Sequence, residues 1–133
     1  MSVAERIQPP SRVAVIGIGK MGAPIASRLI DGGFEVAVFD AHEPMLDPFR
    51  ARPCFVASSA ADAAKDADAL ITMLPTGCDV RTALFGPTGA LETLKTGAMV
   101  IEMSTIDVRE SSRLAFELEA AGLRMVDAPV ART

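Results

Sequence analysis

Three glycines and one carboxylate are the residues of this sequence whose types and spacing could do chemistry. Gly17, Gly19 and Gly22 stand in "GIGKMG", and Asp40 follows 18 residues after the last of them. Glycines so spaced let a chain turn tightly, leave its amides uncovered and enter a helix whose first N–H groups have no intrahelical partner. Such a turn holds phosphate, and a carboxylate about 20 residues further on can accept hydrogen bonds from ribose hydroxyls. The chemistry implied is the binding of a dinucleotide. Gly17 permits the turn, Gly19 lets backbone approach the pyrophosphate, and Gly22 lets the helix pack close to the preceding strand.

The same carboxylate bears on which dinucleotide is held. A 2'-phosphate beside Asp40 would be repelled, and the "AHE" that follows supplies no arginine to compensate, so NAD is favoured over NADP. Lys20, inside the loop, either touches phosphate or faces solvent. His42 is the single histidine, but it lies two residues past Asp40 and so at the adenosine end, where a solvated loop residue is expected. Cys54 and Cys78 are 24 residues apart with no C-x-x-C and no histidine nearby, which argues against a disulfide or metal framework and for a reducing compartment. Met73, Met99 and Met103 read as core filler.

The elements that must position these groups alternate in period. "RVAVI" (12–16) is a continuous β-branched run suited to a buried parallel strand. Met21, Ile25, Leu29 and Ile30 then fall on one helical face, Pro24 is tolerable in a first turn, and "GG" at 32–33 stops the helix. "EVAVFD" (35–40), "CFVA" (54–57), "ALITML" (69–74), "AMVIEM" (98–103) and "RMVDA" (124–128) are the further strands. Between them lie a short helix from Glu43 to Arg52, an Ala-rich helix capped by Ser58 or Ser59 and reaching Asp68, and two short helices over 79–95 parted by "GPTG". A last helix carries Leu114, Leu118 and Ala121 on one face, with Asp107 and Glu110 spaced as a capping box and Gly122 at its end. Strands alternating with helices predict a doubly wound α/β domain with a mostly parallel sheet covered on both sides, and a ligand beyond the carboxyl ends of the strands.

Composition agrees and excludes. Half of the 133 residues are apolar with no Trp or Tyr, a palette for helices on a buried sheet, and the length suits one domain. A net charge of −4 removes the electrostatic reason to expect nucleic acid. No apolar run approaches the roughly 20 residues of a membrane span, and "MSVAERIQPP" lacks the apolar stretch of a signal peptide, so a cytoplasmic protein is expected.

Four stretches make the reading more specific. "VAVIGIGKMGAPIASRLIDGGFEVAVFD", "ITMLPTGCDV", "IEMSTI" and "VDAPV" resemble, in order, the signature blocks of the β-hydroxyacid dehydrogenases, the family of 3-hydroxyisobutyrate dehydrogenase and tartronate semialdehyde reductase. The resemblance covers nearly the whole chain. It implies that Met21 and Gly22 line the pyrophosphate site, that Leu74 and Pro75 contact the cofactor, and that Ser104 and Thr105 sit near nicotinamide and substrate; Gly17, Ile18, Gly19 and Lys20 complete the candidate cofactor turn. On the residues alone, "ST" reads equally as a helix cap before Asp107. Glu102 stands where the family more often has Asp. The last block departs further: where the family commonly reads "DAPVSGG", this chain has Ala131, Arg132 and Thr133. A guanidinium there would suit a carboxylate, phosphate or sulfonate, and the ending is similar to that of the branch that reduces sulfolactaldehyde; the alternative is that Arg132 faces solvent.

Hydride transfer to a carbonyl develops negative charge on oxygen, so a proton donor or cation must be positioned there. Ser104, Thr105, Asp127, Arg132 and Thr133 stand near the expected nicotinamide end, and none has an ordinary pKa near neutrality. The resemblance implies a catalytic lysine in a separate all-helical domain. The expectation is therefore the front portion of a two-domain NAD-dependent dehydrogenase acting on a small anionic β-hydroxy acid or semialdehyde, a homo-oligomer when full-length. Residues 1–11 would be a tail and 12–133 the dinucleotide-binding domain, able to hold NAD weakly and to catalyse nothing alone. A rival from another class is a stand-alone dinucleotide-binding module.

Overall fold

Strand β1 (Arg12–Ile16) shows how the chain builds its core on two sides at once. In the computed structural model, which describes residues 7–130, Val13 and Val15 point into one apolar cluster and Ala14 and Ile16 into another. Successive strand residues face opposite ways, so a strand apolar at every position must be covered on both faces. Helix α1 (Gly22–Asp31) supplies one cover through Ile25, Ala26 and Leu29, beside Leu46 and Phe49 of a 3-10 helix at Glu43–Phe49. Helices α2 (Ala60–Ala64), α3 (Gly77–Phe85) and α4 (Val108–Ala120) supply the other, with Val80, Leu84, Leu114 and Leu118 fully enclosed.

The remaining strands are β2 (Glu35–Phe39), β3 (Phe55–Val56), β4 (Ala69–Thr72), β5 (Met99–Glu102) and β6 (Arg124–Asp127). All pair in parallel, in the order β3-β2-β1-β4-β5-β6. The order reverses between β1 and β4, which is where a doubly wound sheet opens a crevice. Register aligns Phe39, Ile16, Thr72, Glu102 and Asp127 in one row, so the segments after five strands emerge along a single edge.

Several elements differ from their sequence expectations. The Ala-rich helix is capped by Ser59, which accepts from the Asp62 amide, but it ends at Ala64 because Lys65 leaves helical geometry at ψ 125° and Asp66 takes a positive φ of 59°. The segment after His42 winds as a 3-10 helix with Pro44 and Pro48 in it, and the second short helix after "GPTG" is one 3-10 turn at Ala90–Glu92. Asp107 does cap α4, yet its carboxylate accepts from Arg109 N–H at 2.8 Å. Glu110 is drawn away to Arg81 of α3, so the reciprocal capping box does not form. Met73, Met99 and Met103 are half-buried, and Ile7 and Ser11, from the expected tail, lie against the fold, Ser11 accepting from Glu35 N–H. Cys54 and Cys78 are free thiols, and burial pushes the Cys54 thiol above its ordinary pKa. No helix among the described residues is long and apolar enough to cross a membrane.

Candidate dinucleotide site

The three glycines of the loop after β1 answer to different demands. Gly17 has φ +99°, and a Cβ there would lie 2.1 Å from the Met73 carbonyl oxygen; at Gly22 a Cβ would lie 1.7 Å from the Gly17 oxygen. Both positions exclude any side chain because the protein's own backbone occupies the space. A Cβ on Gly19 would meet nothing within 4 Å. No packing in the protein accounts for glycine at that position, which faces space a ligand could fill. The adjoining N-terminus of α1 has no side-chain cap and no acid in its first turn. Ala23 N–H turns back to Gly19 O at 2.9 Å and Pro24 has no N–H, so it is the helix's positive end, with the Gly22 amide, that favours an anion.

Asp40, just past β2, ties this loop to the neighbouring strand. Its Oδ2 accepts from Ile18 N–H at 2.7 Å and its Oδ1 from His42 N–H at 2.8 Å. An ionised carboxylate has about four acceptor positions, so each oxygen keeps capacity for a hydroxyl donor. The Ile18 side chain is buried in the core and is not among the residues that border the cavity, and its amide is taken by Asp40. His42 is exposed and lies at the Asp40 end.

The opposite part of the edge is made of side chains. Glu102, fully buried at the end of β5, accepts from the Thr72 hydroxyl of β4 and from Ser104 N–H at 2.6 Å. Ser104 Oγ accepts from Leu74 N–H at 2.8 Å and lies 3.4 Å from the Thr72 carbonyl oxygen. The loop after β4 and the loop after β5 are thus pinned to one another. Desolvation raises the Glu102 pKa above its ordinary value, opposed by the Ser104 and Thr72 bonds and assisted by the charge of Asp127. The Ser104 hydroxyl is therefore engaged inward, while Thr105 beside it is exposed.

A cavity of about 760 Å³ runs between these two parts, a size within the range of small-molecule sites. Gly17, Gly19, Lys20, Met21 and Gly22 border it, with Asp40 at one end and Leu74, Pro75, Ser104 and Thr105 further along. Sequence reasoning missed one wall: Asp79, Thr82 and Ala83 of α3, with Pro87 and Thr88 beyond it. The signal was available, since α3 starts where β4 reaches the carboxyl edge, and Thr76 caps it by accepting from Asp79 N–H. Arg81, 2.8 Å from Glu117 and 3.2 Å from Glu110, ties this helix to α4. Arg132 and Thr133, expected at the substrate end, lie outside the described residues. No cluster of three His, Cys, Asp or Glu able to hold a metal ion occurs among the described residues.

The chain is similar to known proteins in sequence and in fold. A family model described as the NAD binding domain of 6-phosphogluconate dehydrogenase matches residues 12–133. The chain is 43% identical over 121 residues to 3-sulfolactaldehyde reductase of Escherichia coli, covering 91% of this chain and 41% of that protein. It is 40% identical over 118 residues to human mitochondrial 3-hydroxyisobutyrate dehydrogenase, covering 89% of this chain and 35% of the relative. The solved structure of Mycobacterium tuberculosis 3-hydroxyisobutyrate dehydrogenase with L-serine superposes with a TM-score of 0.84 at 34% identity, over 92% of this chain and 41% of that one. The chain thus spans about two-fifths of the length of the relatives it matches.

Proposed function

The chain belongs to the family of the NAD-binding domain of 6-phosphogluconate dehydrogenase, and on that premise we propose that it is the cofactor-holding portion of an NAD-dependent oxidoreductase acting on a small β-hydroxy acid or its semialdehyde. The observation that carries the proposal is the contrast among the loop glycines. Two are demanded by the protein's own backbone, and Gly19 opens onto empty space beside an uncapped helix N-terminus. Residues of this kind fit an adenine dinucleotide: the amides of the loop hold the pyrophosphate, and Asp40 accepts from the ribose hydroxyls while it fixes the loop through Ile18 N–H. NAD is the form proposed, because Asp40 would repel a 2'-phosphate.

Bound NAD(H) supplies or accepts the hydride. The chain's own residues orient it: Leu74, Pro75 and Thr105 border the cavity beyond the glycine loop, where the nicotinamide end of the molecule would lie. Among the described cavity-lining residues the titratable side chains are Lys20, Asp40, His42 and Asp79. The loop and the adenosine side account for the first three, and Asp79 is engaged with the Thr76 hydroxyl at 2.8 Å. The resemblance to the β-hydroxyacid dehydrogenases implies a proton-donating lysine in a separate domain, which is in keeping with relatives more than twice as long.

Titration of the chain with NADH, followed by nucleotide fluorescence, tests the reading. Saturable binding is expected, with no substrate-dependent turnover. Gly19→Val should weaken binding at least about tenfold, as a side chain takes the space next to the phosphates, yet leave the melting temperature where it was. Unchanged affinity in that variant would remove the loop from the site.

A further inference from the structure

The arginine that is missing directly after Asp40 in sequence lines a cavity together with it. A smaller cavity of about 410 Å³ adjoins the first, sharing Asp40, Ala41 and Ser58 with it, and Glu43 and Arg50 complete its polar wall. Arg50 closes the 3-10 helix Glu43–Phe49, and two carboxylates of that helix hold its guanidinium. Its Nε lies 3.2 Å from Asp47 Oδ1 and its Nη2 lies 3.4 Å from Glu43 Oε1. All three groups are about half exposed or more, so the pairs themselves contribute little to stability. Their charges still act on anything that enters the cavity. Asp40 and Glu43 line the cavity together with Arg50, and Nε and Nη2 of that guanidinium are already directed to Asp47 and Glu43.

We infer that Glu43 and Asp47 are specificity-determining residues: by occupying Arg50 they withhold it from a phosphate on the adenosine ribose, and the site rejects the 2'-phosphorylated dinucleotide. The inference rests on the dinucleotide reading above and adds to it. Repulsion by Asp40 alone would be offset by a free arginine in the same cavity, since guanidinium binds phosphate through paired N–H donors. Here the offset is cancelled by two carboxylates of one short helix. Charge of this kind discriminates without contact, because a doubly charged phosphate feels two extra carboxylates even through solvent.

The test uses the 133-residue chain and two probes, NADH and NADPH, with dissociation constants from fluorescence titration. The unaltered chain should prefer NADH. Glu43→Gln combined with Asp47→Asn should tighten NADPH binding about fivefold, the scale of two charges acting through partly screening solvent, with NADH affinity and melting temperature unchanged. Adding Arg50→Gln to that double variant should cancel the gain. An unchanged NADPH-to-NADH ratio in the double variant overturns the inference, as does a gain that survives loss of Arg50. If the unaltered chain binds both probes equally, the discrimination falls while the cofactor site stands. If it binds neither, the cofactor reading itself fails.

Discussion

The two halves of the cavity edge are built from different materials. Around β1 and β2 the walls are backbone: glycines at 17, 19 and 22, an uncapped helix end, and one carboxylate that fastens the loop through Ile18 N–H. Around β4 and β5 they are held by a side-chain network, in which the enclosed Glu102 gathers the Thr72 hydroxyl and the Ser104 amide and Ser104 in turn holds Leu74 N–H. A backbone cradle has fixed chemistry and fails by steric intrusion. A side-chain network carries a titratable group and fails by losing a partner, so its behaviour depends on pH. The difference separates a part of the site that should bind phosphate in any relative from a part whose geometry depends on which side chains are present.

The largest effect that would break this contrast is expected from Gly17→Ala. A Cβ there meets the Met73 carbonyl at 2.1 Å, so the variant forces the cradle against the end of β4. A loss of about 3 kcal/mol or more is expected in urea unfolding, together with loss of NADH binding; a stable variant would show that the loop is not bound to the geometry described. Next comes Ser104→Ala, which leaves the Leu74 amide without its acceptor. Its cost should be about 1–3 kcal/mol by the same measurement, with a moderate rise in the NADH dissociation constant as the 74–75 segment loosens.

The smallest effect sharpens the comparison. Because the folded state raises the Glu102 pKa, it binds that proton more readily than the unfolded chain, and the stability so gained is lost as pH rises through the raised value. Glu102→Gln, which keeps an acceptor for Ser104 N–H, should therefore gain on the parent protein by a few degrees in melting temperature between pH 5 and pH 8. A difference between the two that stays flat over that range would mean that the carboxyl does not titrate within it. Gly19→Val, by contrast, should show no pH-dependent difference from the parent in melting temperature.

Much of the fold was legible because its signals are local. β1 and the first α-β unit follow from a β-branched run, a change of period and the "GG" stop, and the observed strand β1 and helix α1 keep those positions. The losses were also physical. Glu110 stands at capping-box spacing, but Arg81, 29 residues away, offers a stronger partner, and local spacing cannot weigh that. Arg50 went unread as a neighbour of Asp40 because two proline-containing turns, not a recognisable motif, bring it back to the carboxyl edge. Ser104 lines the cavity as its place after β5 suggests, but local sequence could not show that its hydroxyl accepts from the Leu74 amide, 30 residues away.

By itself the sequence determined the alternation of strand and helix, the sterically demanded glycines and the acid at the end of β2, since each depends on backbone geometry within a few residues. Only the tertiary structure decided what those parts share: the row from Phe39 to Asp127 that brings five strand ends to one edge, the Thr72, Glu102 and Ser104 network, and the α3 wall of the cavity. Pairing between strands and burial of a carboxylate are set by which distant segments come to lie side by side, and that is a property of the packed sheet.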